Sequence, residues 1–210
     1  MSSPRKRPAA RAPGRPRSNT SRAAILKAAY QILRESGFAG FTVEGVAARA
    51  GAGKATIYRW WQTKGTLAVE AFLVAVAPRM DAVQHSASAL ADLRYQVHVA
   101  ATLYRGRVGQ LLRELIALGQ EDSETNRALR SDFVEPRRQA ALQLLRRAQA
   151  AGEIDADTDI EVLADALWGP IFHRLLVSRM PLDRHFIDKL LDLVLGGALR
   201  TRAPHAQGEA

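Results

Sequence analysis

The sequence predicts an all-α protein of about nine helices, with a small N-terminal helix-turn-helix head and a larger helical body. Three observations carry this. Apolar residues recur at helical spacing from Thr20 almost to the C-terminus, and no alternating strand pattern or fixed repeat interrupts them. Glycine and proline fall where such a pattern would start, stop or bend. Positive charge is concentrated at one end. Residues 1–77 hold 13 Lys/Arg against 3 Asp/Glu, a balance of +10, whereas residues 78–210 hold 17 against 18.

Residues 1–19 form a basic arm rich in Pro, Arg, Ser and Ala, with no acid and too little apolar surface to fold alone. Within it, Pro13-Gly14-Arg15-Pro16-Arg17 resembles the core of an AT-hook, whose extended backbone lets arginine enter a narrow minor groove. Arg15 and Arg17 are thus candidates for minor-groove contact, and a general phosphate-binding arm is the alternative. A first helix is expected over 21–36, with Ile25, Ala28, Ala29, Ile32 and Leu33 inward and Gly37 as its stop.

The segment Phe41–Lys64 is the most informative in the chain. Thr42 is placed to cap a helix, and Phe41 and Val46 occupy the two positions of a hydrophobic staple. Val43, Val46, Ala47 and Ala50 make one buried stripe, and Gly51-Ala52-Gly53 ends it. A second short helix is expected over 54–60, with Ile57 and Trp61 on its inner side. This pattern predicts a helix-turn-helix over about 42–61, whose second helix is expected to lie in the major groove of double-stranded DNA. Phosphate neutralisation explains the charge asymmetry and predicts salt-dependent binding.

The wording Thr42-Val43-x-x-Val46-Ala47-x-x-Ala50-Gly51-x-x-Lys54-x-Thr56-Ile57-Tyr58-x-x-Trp61-x-x-Lys64-x-x-Leu67 resembles the DNA-binding domain of the tetracycline-repressor (TetR) family. Ile25-Leu26-x-Ala28-Ala29 through Gly37-Phe38 is similar to that family's first helix. The close match spans roughly residues 20 to 75. The resemblance implies a homodimeric, all-helical transcription regulator, most often a repressor released by a small molecule.

Candidate DNA contacts follow position by position. Lys54 can bond guanine O6/N7 or a phosphate, and Ala55 can touch a thymine methyl. Thr56 and Tyr58 are better suited to phosphate, which positions without reading sequence. Arg59 is the best candidate for reading guanine, and Trp60 can cover sugar and backbone. Thr42 lies at the entrance to the motif. Lys64 matches a family position that contacts phosphate. Glu44 departs from a phosphate-binding role: an acid there suits the helix dipole but repels phosphate.

Beyond the head (20–66) lies a body, 67–202, and then a short tail, 203–210. Thr63 caps a fourth helix expected to reach Ala77, before Pro78. Apolar-periodic segments follow at 88–105 and 107–119, separated by Gly106. The stretch 124–151 contains Pro136, so it is one kinked helix or two. The last two helices, about 160–178 and 183–200, are the most apolar. Their stripes, with Leu167, Ile171 and Leu175 on one and Leu190, Leu191, Val194, Leu195 and Leu199 on the other, are expected to form a four-helix dimer interface. The alternative is that both are core of one subunit. An effector pocket in the body would draw on Tyr95, His98, Tyr104, Phe133, Trp168 and Phe172, each of which also suits plain core. Pro170 either walls that pocket by kinking its helix or merely bends the helix round its neighbours.

The remaining function classes are excluded by what is missing. There is no cysteine, so no disulfide, thiolate metal site or cysteine nucleophile. His85, His98, His173, His185 and His205 show no metal-ligand spacing, and no GxSxG or phosphate-binding loop occurs. No cofactor, metal or enzyme activity is expected. No apolar run approaches the ~20 residues that span a bilayer. The basic N-terminus lacks a signal peptide's apolar core, which points to the cytoplasm. A DNA-binding regulator governed by a protein partner or by its own abundance is the alternative, and a helical enzyme a remote one.

Overall fold

Residues 19–80, 86–121 and 123–197 are described by the structure, a computed structural model. Arg15, Arg17, Leu199 and the tail lie outside the described residues. Helix α1 (Asn19–Ser36) buries Ile25, Leu26, Ala28, Ala29, Ile32 and Leu33 along one side. It stops at Gly37, whose φ of +68° is left-handed and whose N–H donates to the Leu33 carbonyl. In α2 (Val43–Ala50), the Thr42 hydroxyl accepts from the Gly45 N–H at 3.1 Å, and Gly51 ends the helix at φ +62°. Helix α3 is only Lys54–Tyr58, so Arg59 and Trp60 lie in the turn beyond it rather than inside the helix expected there.

The connecting helix α4 (Lys64–Met80) is buried on several sides, through Leu67, Ala68, Val69, Ala71, Phe72, Leu73 and Val76. It packs on α1 in the head and on the body helices. Contrary to expectation, α4 runs through Pro78 for two more residues. The proline falls in the last turn, where its missing N–H leaves the carbonyl of the exposed Val74 without its helical donor, and the helix ends two residues later. Helices α5 (Ala89–Leu103) and α6 (Gly106–Glu121) meet at a tight corner. A Cβ on Gly109 would lie 1.8 Å from the Tyr104 carbonyl oxygen, so glycine is required where α6 turns back against the end of α5.

The stretch containing Pro136 is one rod, α7: Ser123–Leu129, a π-helical turn Arg130–Val134, then Glu135–Ala150. The widened turn places Pro136 in the first turn of the regular segment, where it needs no donor. Helix α8 is likewise α-helical over Ile160–His173 and π-helical over Arg174–Ser178. It passes through Pro170, and the irregular turn comes just after the proline rather than at it. Helix α9 (Arg184–Gly196) is capped by Asp183. Nine helices are therefore present among the described residues.

The expected dimer stripes need correcting. Leu167, Ile171, Leu175, Leu190, Leu191 and Leu195 are all buried inside a single protomer, and Val194 is half-buried against the same core. Period 3.6 marks the side of a helix facing the nearest apolar partner, and here that partner is the protomer's own body. The large apolar side chains left outside on these helices and the segment joining them are Val162, Leu176, Val177, Met180 and Leu193, with Val177 70% and Leu193 79% exposed.

Candidate nucleic-acid interface and effector cavity

The head presents a compact outward surface. Thr42, Lys54, Ala55, Tyr58, Arg59, Trp60 and Lys64 are exposed, and Thr56 is half-buried. Ile57 and Trp61 are buried beneath them. Lys54 is engaged: its Nζ lies 3.1 Å from Glu44 Oε1, tying α3 to α2. The carboxyl of Glu44 is held below the usual range, first by its own backbone amide at the start of α2 and then by Lys54. Lys64 Nζ sits 4.6 Å from the centre of the Phe38 ring, which steers the ammonium alongside the first turn of α4.

A support network unforeseen in the sequence lies behind this surface. The Trp61 indole N–H donates to Glu70 Oε2 at 2.6 Å, and Glu70 also pairs with Arg22 of α1. The Arg22 guanidinium lies over both indoles, 5.5 Å from the Trp60 ring centre and 5.9 Å from that of Trp61. Glu70 thus joins α1, α4 and the end of the recognition helix. Its signal was visible: it is the lone acid in the apolar run of α4.

The body grips the head at a second place. Arg107, in the first turn of α6, donates to the Leu33 and Arg34 carbonyls at 2.9 and 2.8 Å, satisfying the C-terminus of α1. Glu114, two turns further, accepts from the Phe38 N–H at 2.8 Å. The α1–α2 corner is therefore held by the helix that follows Tyr104.

Four of the six expected pocket residues line one cavity of about 370 Å³: Tyr104, Phe133, Trp168 and Phe172, with Arg137 and Arg138 beside them. That volume lies within the range of small-molecule sites. The Tyr104 ring lies against Phe172, centre to centre 6.2 Å, and Phe133 meets Phe72 of α4 edge-on at 6.0 Å. Burial pushes the Tyr104 phenol well above its ordinary pKa, so it stays a neutral donor. Gly169 also lines the cavity; Pro170 does not. His98 and Tyr95 are not among the lining residues. Instead His98 Nε2 lies 2.9 Å from Asp188 of α9, a pairing between helices far apart in sequence. Among the described residues no cluster of His, Cys, Asp or Glu is arranged to hold a metal ion, and no helix is long and apolar enough to cross a membrane.

Known proteins share this architecture. Residues 25–71 match the family model for bacterial regulatory proteins of the tetR family, and residues 83–194 the tetracyclin repressor-like C-terminal domain. An uncharacterized HTH-type transcriptional regulator of Bacillus subtilis, YdeS, is 36% identical over 190 residues, covering 90% of this chain and 96% of that protein. The DNA-binding transcriptional repressor TetR of Mycobacteroides abscessus is 31% identical over 179 residues, 85% of this chain and 94% of its own. The crystal structure of the TetR family regulator SCO0332 superposes with a TM-score of 0.75 at 35% identity, covering 86% of this chain and 99% of that one. With exposed basic side chains on a helix-turn-helix, an all-helical body and these relatives, the chain belongs to the TetR family of DNA-binding transcriptional regulators.

Proposed function

We propose that the protein is a homodimeric cytoplasmic repressor that occupies a palindromic operator and leaves it when an apolar or aromatic effector fills the body cavity. The observation that carries this is the connection between the two sites. Phe133 lines the cavity and touches Phe72 of α4, while Tyr104 lies three residues before Arg107, which holds the C-terminus of α1. The head is taken as residues 20–66 and the body as 67–202. A ligand shifts the equilibrium only by its differential affinity for the two arrangements of head and body.

In this reading Arg59 reads a guanine, and Thr56, Tyr58, Trp60 and Lys64 position the head on the backbone. Lys54 is shared between Glu44 and the DNA. Arg59→Ala is expected to relax base preference at one position per half-site, by about 1–3 kcal/mol, whereas Lys64→Ala weakens all sequences alike. Binding-site selection on both variants checks this, and an unchanged preference for Arg59→Ala would remove it from the reading residues.

Dimerisation is assigned to the outward apolar residues of α8 and α9, Val177 and Leu193 foremost. Leu193→Asp should give a folded monomer with sharply reduced operator affinity. Leu191→Asp should instead unfold the protomer, because the charge enters its core unpaired. Sedimentation and melting of the two variants separate these outcomes, and a dimeric Leu193→Asp would move the interface elsewhere.

A further inference from the structure

Tyr104 is also a wall of a second concavity, about 350 Å³, between the α5–α6 corner and the segment joining α8 to α9. Four arginines line it (Arg105, Arg113, Arg174 and Arg179) against a single carboxylate, Asp183. That carboxylate is already committed, since its Oδ1 accepts from the Phe186 N–H at 2.8 Å and caps α9. Two of the guanidiniums are fixed by neutral groups. Arg105 Nε donates to the Leu182 carbonyl at 2.7 Å. Arg174 Nη1 donates to the Pro181 carbonyl at 2.7 Å and lies 3.5 Å from the centre of the Phe186 ring. These contacts hold the cations in place without offsetting their charge. No ion pair of Arg113 or Arg179 occurs among the described residues. The N-terminus of α6, which has no acid in its first turn, opens on the same wall at Gly106.

Four arginines on one concavity carry like charge, and an anion placed among them lowers their repulsion and gains charge-assisted hydrogen bonds. Guanidinium forks match phosphate oxygens bidentately, and several such forks suit a head carrying more than one charge. The neighbouring aromatic cavity shares Tyr104 with this cleft. It is mostly apolar, and its own arginines are engaged, Arg138 by Glu161 and Asp165 and Arg137 by the Phe133 carbonyl. Building on the effector-responsive repressor reading, we propose that the arginine cleft binds the phosphate head of an amphipathic effector whose aromatic or acyl part fills the adjoining cavity. Tyr104 borders both compartments.

Titration calorimetry on the full chain with three probes tests this: inorganic pyrophosphate for the head alone, 2-naphthol for the apolar part alone, and 2-naphthyl phosphate for both. The expected result is that pyrophosphate binds, and that 2-naphthyl phosphate binds at least about tenfold more tightly than 2-naphthol. Both the pyrophosphate binding and the tenfold advantage should vanish in Arg113→Ala/Arg179→Ala and persist in Lys64→Ala, which controls for binding at the DNA face. The double variant should melt like the wild type and keep its affinity for 2-naphthol. If 2-naphthol binds but the phosphate confers no advantage, the cleft is not a head-group site, while the effector cavity stands. If pyrophosphate binds the cleft but neither naphthyl probe binds, the two-part ligand is wrong and the effector cavity falls with it. A double variant that became monomeric would show that the arginines face a second copy of the chain, which also overturns the proposal.

Discussion

Head and body hold their functional groups in opposite ways. In the head, Tyr58, Arg59 and Trp60 stand exposed at the end of a five-residue helix, and Ile57, Trp61 and Glu70 support them from behind. In the body, Tyr104 and Phe133, proposed to meet the effector, are almost wholly buried and line a void between helices. An outward polar or aromatic group on a motif of fixed spacing has few structural reasons to be there. A buried aromatic has a ready one in packing. Function is therefore assignable residue by residue in the head, and only through the cavity as a whole in the body.

The sharpest way to break this contrast is to remove the support behind the reading surface. Trp61→Ala deletes a buried indole together with its hydrogen bond to Glu70, and substitutions of this kind cost about 3–5 kcal/mol. The head is small, so it should lose order and operator binding, while the body keeps most of the helical signal in circular dichroism and its affinity for aromatic ligands. A variant that melts in a single step with the wild-type profile would show that head and body are one cooperative unit without a separable reading surface.

The limits of the sequence follow the same division. The bounds of α2 were legible because Thr42 and Gly51 act locally, through a cap and a left-handed residue. The first helix, the start of the fourth and the place of Gly106 were legible for similar reasons. The dimer stripe was not. Apolar periodicity locates the buried side of a helix without saying whose core buries it, so Leu167, Ile171 and Leu191 suit a dimer stripe and a protomer core alike, and the fold buries them in the protomer. The π turns at 130–134 and 174–178 have no local signature beyond a nearby proline. His98 looked like a pocket residue because its partner, Asp188, lies ninety residues away, and only the fold brings them together. The same holds for Arg107 and Glu114, whose acceptor and donor are backbone groups of α1 and its following turn.

A smaller effect sharpens the body side of the comparison. Glu153 accepts from the Ala89 and Leu90 N–H groups at 2.8 and 3.2 Å and from the Ser88 hydroxyl, so it caps α5, the helix that ends at Tyr104. Burial pushes its carboxyl up, but these hydrogen bonds outweigh burial and the folded value lies below the ordinary 4.5. A depressed folded value contributes stability that is present above the unfolded value and is lost as pH falls through the folded one. Glu153→Gln should therefore cost about 1–3 kcal/mol at neutral pH. That cost should shrink as pH drops below 4.5, until variant and wild type converge. Chemical denaturation at neutral and strongly acidic pH measures the difference, and a gap that persisted in acid would assign Glu153 a packing role instead. Operator preference should not change, since the residue lies in the body.

The smallest effect on stability returns to the head, where it should coincide with a clear effect on DNA. Glu44 and Lys54 are both more than half exposed, at 63% and 57%, and such an ion pair is worth about 0–1 kcal/mol. Glu44→Gln should therefore leave the melting temperature nearly unchanged. On the operator the balance differs. The carboxylate stands exposed in the first turn of α2 beside Lys54, and repels a phosphate brought there. It also occupies Lys54, whose ammonium is otherwise free to meet a phosphate or the acceptor edge of guanine. Removing the charge should raise affinity for every duplex and steepen the dependence on salt, by roughly one further phosphate contact, without altering base preference. The opposite result has a definite meaning. If Glu44→Gln lowers affinity for the operator alone and relaxes preference at one base pair, then Glu44 accepts from a cytosine amino group, and helix α2 reads sequence alongside α3. Fluorescence anisotropy on operator and random duplexes across a salt series distinguishes the two.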